Sequence, residues 1–267
     1  MPTARIDDTL EMHYELDDFT PPWEDDAEAI LLHHGAGKSG KLWYFWVPGL
    51  ASDYRVIRPD ARGFGHSSPI PEGYRYSLSG LANDLRLLLD SLGIEKTHLV
   101  GETVGGPVCL QFAYEYPDRT HSLTLCGAPY RLDRLPEHFL HSAEIIHEQG
   151  VEAWATGNGD RRFGDKADPE MVRWYHHEMG KTSARTLIAL FDYVPTVDLT
   201  DILPHIRVPT LVFAGLESGI TPPDDSRFIA ATIPNAQLVE IEGAPTQLHI
   251  THQDVALPKF REFLASL

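Results

Sequence analysis

Apolar residues fall along the chain in two alternating kinds of run. Runs of strand length occur at Ala29–His33, Arg55–Pro59, Thr97–Val100, Ser122–Cys126, Thr210–Phe213 and Gln237–Ile241. Between several of them the spacing is helical. Leu78, Leu81, Leu85, Leu88, Leu89 and Leu92 recur every three or four residues, and Gly93 follows as a C-cap. The segment Gly105–Tyr116 predicts a second helix, stopped before Pro117. The acidic stretch from Asp17 to Glu28, with Pro21 and Pro22, predicts a surface loop between two early strands. Strands that alternate with helices imply an α/β fold, a mostly parallel doubly wound sheet covered on both faces.

The alternation stops between about Tyr130 and Leu203, where helical patterns rich in His, Trp and Tyr replace the strand runs. The expected organisation is therefore a core of residues 1–129 and 204–267 with a helical cap, 130–203, inserted into it. A helical lid over the carboxyl edge of the sheet would roof a pocket at the usual ligand position of such folds.

Charge and composition narrow the partners. With 22 Lys plus Arg against 39 Asp plus Glu, the net charge of −17 repels phosphate backbones and anionic lipid, so neither nucleic acid nor membrane is expected as a partner. A small-molecule substrate or ligand remains, and the oligomeric state is not legible. The two cysteines, Cys109 and Cys126, sit in apolar runs, which speaks against a disulfide framework or a cysteine zinc site. The opening residues lack an apolar signal core and no apolar run is long enough to span a bilayer, so a cytoplasmic protein is expected. The pairs His138/His141 and His176/His177 lack a clear third ligand, so no metal is expected, and no cofactor.

The loop after the first central strand reads His34-Gly35-Ala36-Gly37-Lys38-Ser39-Gly40-Lys41-Leu42. It fits the start of a phosphate loop, but Leu42 stands where a Ser or Thr should hold magnesium. The glycines at 35, 37 and 40 also satisfy a dinucleotide fingerprint, with Asp60 ending the following strand as a ribose-binding acid would. A dinucleotide-dependent enzyme is thus one reading of this loop, and a plain glycine turn is another.

A third reading takes in more residues. His34-Gly35-x-Gly37 followed by Trp43, then Asp60-Ala-Arg62-Gly63-Phe-Gly65-His-Ser67, then Gly101-Glu102-Thr103-Val104-Gly105-Gly106, resembles the α/β-hydrolase superfamily in order and spacing. The tail agrees, with a strand opening at Val208-Pro209-Thr210, a loop from Gly215 to Pro222, and Gly243-Ala244 before the final helix. The resemblance implies a nucleophile on a sharp strand-to-helix elbow, followed in the chain by an acid and a histidine. Here the three slots hold Thr103, Ser218 and Thr246. Glu217 precedes the acid slot, and His249, at the start of the last helix, is the nearest imidazole. Each has a plain alternative: Glu217 as a solvated loop acid, His249 as an imidazole packed under the cap. Glu102, inside the elbow, is given no catalytic role.

Losing the nucleophile or the base of such a triad costs about 10⁶ in turnover, so three changed slots exclude a normal serine-hydrolase cycle. The resemblance further implies an oxyanion site on the amides of Ala36 and Val104, with His34 and Gly35 shaping the loop and Trp43 lining the pocket. The expected function is an enzyme acting on a small carbonyl compound, by ester or lactone hydrolysis or by C–C lyase or decarboxylase chemistry. A catalytically inactive small-molecule binder or sensor on the same fold is the alternative.

Overall fold

The computed structural model describes residues 2–23, 27–157, 159–164 and 167–267, so the tip of the expected Asp17–Glu28 loop lies outside the described residues. Eight strands form one sheet: β1 (Thr3–Arg5), β2 (Glu11–Asp17), β3 (Ala29–His33), β4 (Arg55–Pro59), β5 (Thr97–Glu102), β6 (Thr120–Cys126), β7 (Thr210–Gly215) and β8 (Ala236–Ile241). Their order is β1-β2-β4-β3-β5-β6-β7-β8. The β1–β2 and β2–β4 pairs are antiparallel, and every pair from β4 across to β8 is parallel.

Alternation of side chains along the central strands builds a core on each face. Ile30, Leu32, Val56 and Val100 pack with Trp43, Trp46 and Phe260, while Leu31, Ile57 and Leu99 pack with the helices opposite. Those helices are α1 (Leu78–Ser91) and α2 (Gly105–Glu115). The leucine stripe of α1 is its buried face. Leu85, Leu88 and Leu89 are wholly enclosed, each worth about 1.5–3 kcal/mol relative to exposure. Ser77 caps α1, accepting the Gly80 amide through its hydroxyl at 3.1 Å, and Gly93 takes the left-handed conformation at its end.

Between β6 and β7 the described residues form helices: α3 (Glu137–Leu140), α4 (Ser142–Gln149), α5 (Val151–Thr156), α6 (Gly159–Phe163), α7 (Pro169–Gly180) and α8 (Ala184–Tyr193). An isolated bridge pairs Arg131 with Asp198 where this insertion leaves and rejoins the core. Then come α9 (Pro223–Thr232), α10 (Leu248–Thr251) and α11 (Gln253–Leu264). No described helix is long and apolar enough to cross a membrane.

Two local differences from the sequence expectation matter for the site. First, β5 runs past Val100 because Gly101 pairs with His33 and Glu102 with Cys126, so Glu102 ends a fully buried strand. Second, His249 belongs to the short helix α10, separated from the final helix by the non-helical backbone of His252, with φ −126° and ψ 37°.

Candidate active site

The elbow is built at the junction of β5 and α2. Thr103 adopts a φ of +45°, the one non-glycine residue with positive φ among the described residues. A β-branched residue rarely tolerates that region, so the turn holds local strain of the kind found at functional sites. Neighbouring glycines make it possible. A Cβ at Gly105 would lie 2.5 Å from the His34 carbonyl oxygen, and one at Gly35 would lie 2.1 Å from the Thr103 hydroxyl. Thr103 therefore stands at the elbow with its hydroxyl against the glycine loop.

That hydroxyl faces a carboxylate. Thr103 Oγ1 donates to Glu102 Oε2 at 2.9 Å. Lys38 Nζ donates to both oxygens of Glu102, at 2.8 and 2.6 Å, and the Gly35 amide donates to Oε1. The ion pair is enclosed, with side-chain exposures of 4% and 1%. Burial pushes the Lys38 ammonium down to about 8 even with Glu102 beside it. Burial alone would raise the Glu102 carboxyl, but the charge of Lys38 overrides it and holds the group well below the usual carboxylate range. Glu102 is thus a poor base for the Thr103 proton.

The residues expected to bind an oxyanion are assembled around the amino end of α2. Neither the Ala36 nor the Val104 amide donates to another group among the described residues. Both line a hollow of about 20 Å³ beside Gly35 and Gly105, room for about one water-sized group at the positive end of a helix dipole. His34 clamps this loop. Its Nε2 accepts the Ala61 amide at 2.9 Å, so its Nδ1 carries the proton and donates to the Gly35 carbonyl at 2.8 Å. Burial lowers its pKa, which fits a fixed neutral ring.

The same geometry corrects the dinucleotide reading. After Gly40 the chain makes two short 3-10 turns, Gly40–Trp43 and Val47–Gly49, before β4, so the long helix whose amino end would receive a pyrophosphate is missing there. Asp60 is 2% exposed and accepts the Gly40 and His66 amides, which makes it a clasp beneath the loop rather than a ribose acceptor. It belongs to the one metal-like grouping among the described residues, His13, Asp60 and His66, and these backbone bonds already occupy its oxygens. Arg62 is likewise structural, paired with Asp84 and Asp7.

Where the sequence reading expected the acid and histidine slots, two hydroxyls meet. Ser218 and Thr246 lie 2.8 Å apart, Thr246 Oγ1 accepts the Ile220 amide at 3.2 Å and donates to the Arg161 carbonyl at 3.1 Å. Ser218 Oγ accepts the Thr221 amide. The pair therefore ties the acid loop to the turn after β8 and to α6 of the insertion. It contains no group that takes up a proton near neutral pH.

His249 is 2% exposed, and its ring lies 4.6 Å from that of Trp43 between centroids. Trp46 Nε1 donates to its carbonyl oxygen, and its own Nδ1 has no hydrogen-bond partner. Burial brings its pKa down to about 4, although Glu102 pulls the other way, so the ring is neutral. Trp43 and Trp46 are core residues. Glu217 stands apart from this cluster: it is exposed and lines an outer groove of about 540 Å³ with Tyr44, Phe45, Phe163, Met171 and His252. No imidazole is within hydrogen-bonding reach of it among the described residues.

The sequence reading missed four residues and undervalued Glu102. Lys38, counted only toward a phosphate loop, turns inward to Glu102. Arg162 on α6, Tyr175 on α7 and Trp154 on α5 close the site from the insertion, all at least nine-tenths buried. The Lys38 ammonium lies 5.5 Å from the centre of the Tyr175 ring, and the Arg162 guanidinium 5.3 Å from that of Trp154. A signal was present in two charged residues, 38 and 102, at positions that this loop and elbow bury; nothing in the spacing singled out the other three.

Comparison with known proteins agrees with this architecture. The family described as alpha/beta hydrolase fold matches residues 28–158. A Stutzerimonas stutzeri protein that carries the provisional name carbamate hydrolase RutD is 30% identical over 246 residues, covering 85% of this chain and 86% of its own. A 2-hydroxy-6-oxo-6-phenylhexa-2,4-dienoate hydrolase of Burkholderia cepacia is 29% identical and covers 79% of each chain. The enol-lactonase of Burkholderia xenovorans LB400 superposes with a TM-score of 0.87 at 27% identity, over 99% of this chain and 100% of that one. Sheet order, elbow and relatives together place the chain in the alpha/beta-hydrolase superfamily.

Proposed function

We propose that this protein is an enzyme that acts on a small carbonyl compound and holds the carbonyl oxygen as an oxyanion or enolate on the Ala36 and Val104 amides, without forming an acyl-threonine. The observation that carries this reading is the pair of amides at the amino end of α2 that are unpartnered among the described residues, next to a hydroxyl that faces only a poor base. One preorganised donor of this kind is worth about 10²–10³ in rate, so an oxyanion site can sustain catalysis where no nucleophile is activated. Thr103 stabilises the site through its hydroxyl and keeps its proton, because the carboxylate that it faces is a poor base. Proton transfer falls to His249, a neutral imidazole with an unoccupied Nδ1. Decarboxylation of a β-keto acid and retro-aldol cleavage both need only an enolate site and a proton donor or acceptor. The dienoate hydrolase and enol-lactonase among the relatives are named for carbonyl compounds, which supports the substrate class.

Two measurements test this. Intact mass after incubation with a small fluorophosphonate is expected to be unchanged, and turnover of benzoylacetate or 4-hydroxy-4-phenyl-2-butanone is expected to fall at least about 100-fold in His249→Gln. An adduct that disappears in Thr103→Ala would overturn the non-covalent route. A second reading, binding without turnover, is favoured by the way in which Glu102 already engages the Thr103 hydroxyl and the Gly35 amide. Saturable ligand binding with no product from any carbonyl class would select it.

A further inference from the structure

Four cations are nine-tenths or more buried among the described residues: Lys38, Arg58, Arg62 and Arg162. Three of them face carboxylates. Lys38 pairs with Glu102, Arg58 with Glu15 and Asp17, and Arg62 with Asp7 and Asp84. Arg162 faces none. Its Nη1 donates to the Ala155 carbonyl at 2.5 Å, and its Nε and Nη2 have no hydrogen bond among the described residues. The nearby carboxylate, Glu102, is already engaged by Lys38, Gly35 and Thr103, so among the described residues the enclosed site carries one surplus positive charge. An enclosed charge without a counter-charge is costly, and native folds keep one where something else supplies the partner.

The neutral groups around it point the same way. Tyr175 OH and Trp154 Nε1 are both buried without a hydrogen-bond partner, and both are donors. Gln247, whose backbone amide donates to the Arg162 carbonyl at 2.9 Å, has an unpartnered side-chain amide oxygen, and that side chain can turn to present its N–H₂. The seam between α5, α6, α7 and the turn after β8 therefore holds two unpaired donors, the Tyr175 hydroxyl and the Trp154 indole, beside the guanidinium. A planar guanidinium whose Nε–Nη2 edge is free matches a planar monoanion by paired hydrogen bonds.

We infer that this seam binds a carboxylate group of the substrate, with Arg162 as its counter-charge and Tyr175 and Trp154 as additional hydrogen-bond donors. The inference rests on the carbonyl-site reading above and extends it: the substrate is a carbonyl compound that also bears a carboxylate, the first group on the α2 amides and the second on Arg162. The overall charge of −17 disfavours anions at a distance, so selection must occur inside the site, where Arg162 reverses the local sign.

The test compares benzoylformate with benzoylformamide, its neutral amide, by tryptophan fluorescence and calorimetric titration on the whole protein. Benzoylformate is expected to bind at least about tenfold more tightly than the amide. In Arg162→Met the preference should vanish, while the ligand-free variant melts no lower than the parent because an uncompensated charge has gone. A merely structural arginine would give the reverse, a large loss of stability with no ligand preference to lose. Tyr175→Phe provides a second variant: it removes a hydroxyl without a partner, so it should keep its melting temperature and bind benzoylformate severalfold more weakly. Equal binding of the two compounds by the parent, no binding of either, or a carboxylate preference that survives both substitutions overturns the inference. The two readings fail separately. Carboxylate-selective binding without turnover removes the enzyme and leaves the subsite, whereas turnover with no carboxylate preference does the opposite.

Discussion

Removing either partner of the Lys38–Glu102 pair should destabilise the fold in opposite ways as pH changes. The pair is enclosed, and two of its bonds are 2.8 and 2.6 Å long, so truncating one side strands the other. Breaking a pair of this kind costs about 3–5 kcal/mol, which is a large share of the 5–15 kcal/mol by which a domain is stable. In Lys38→Met the Glu102 carboxyl loses the charge that holds it down, and burial, which raises it, takes over. A carboxyl with a raised folded pKa binds its proton more tightly in the native state, so the stability of this variant falls as pH rises from about 4.5. In Glu102→Gln the ammonium loses its anion, and burial, which already brings it to about 8, pushes it further below its unfolded value of 10.5. The unfolded chain then binds the proton more tightly, so this variant gains stability as pH rises toward 10.5. Lys38→Met/Glu102→Gln leaves no charge behind and should recover at least half of the loss. Urea unfolding of the four proteins at pH 5, 7 and 9 gives the free energies and their slopes. Single-variant losses under about 1 kcal/mol, or pH slopes of the same sign in the two variants, would refute the reasoning.

Two further outcomes follow from the rest of the site. Thr246→Val removes the acceptor of the buried Ile220 amide and the partner of Ser218, and is expected to cost about 1–3 kcal/mol in urea unfolding, with Thr246→Ser restoring most of it; equal stability of all three proteins would show that the hydroxyl pair does not hold the acid loop. Burial keeps His249 neutral, with a pKa of about 4 against 6.5 unfolded, so stability should drop as pH falls from 6.5 and lose about 3 kcal/mol by pH 4 from this residue; His249→Gln should flatten that slope, and an unchanged slope would count against a buried neutral imidazole.

The fold was legible because its signals were local and agreed with one another. Runs such as Ala29–His33 are apolar at every position because both faces of a central parallel strand are covered, and the leucine stripe of α1 is apolar on one side because only one side meets the sheet. Where strand ends were misjudged, the reason was composition. Gly101 and Glu102 are not strand formers, and pairing with His33 and Cys126 decides their conformation. The glycine loop shows the opposite limit. Its pattern fits a dinucleotide fingerprint and an oxyanion loop equally, and what separates them is whether a helix or a 3-10 turn follows, which the glycines do not encode.

The site was legible in its frame and not in its charges. Elbow, loop and acid turn sit at fixed places along the strands, so the turns that carry Thr103, Ser218 and Thr246 could be found by spacing. The chemistry that fills them could not, because it is made of contacts between residues far apart in the chain: Lys38 with Glu102, Thr246 with Arg161, Gln247 with Arg162. A charged residue is normally solvated, and that expectation is what hid the lysine, the glutamate and the arginine. Inside the fold the same three residues follow a stricter rule, that an enclosed charge needs a partner. Lys38 and Glu102 satisfy it within the chain, which explains why the elbow can carry an acid where the superfamily places a serine's neighbour. Arg162 does not satisfy it among the described residues, and the hydroxyl and indole beside it lack acceptors as well. A chain that had only shed its catalytic residues would be free to replace that arginine with an apolar side chain and gain stability. Its presence on α6, with donors gathered around it, is the physical reason to look for a ligand that brings the missing negative charge.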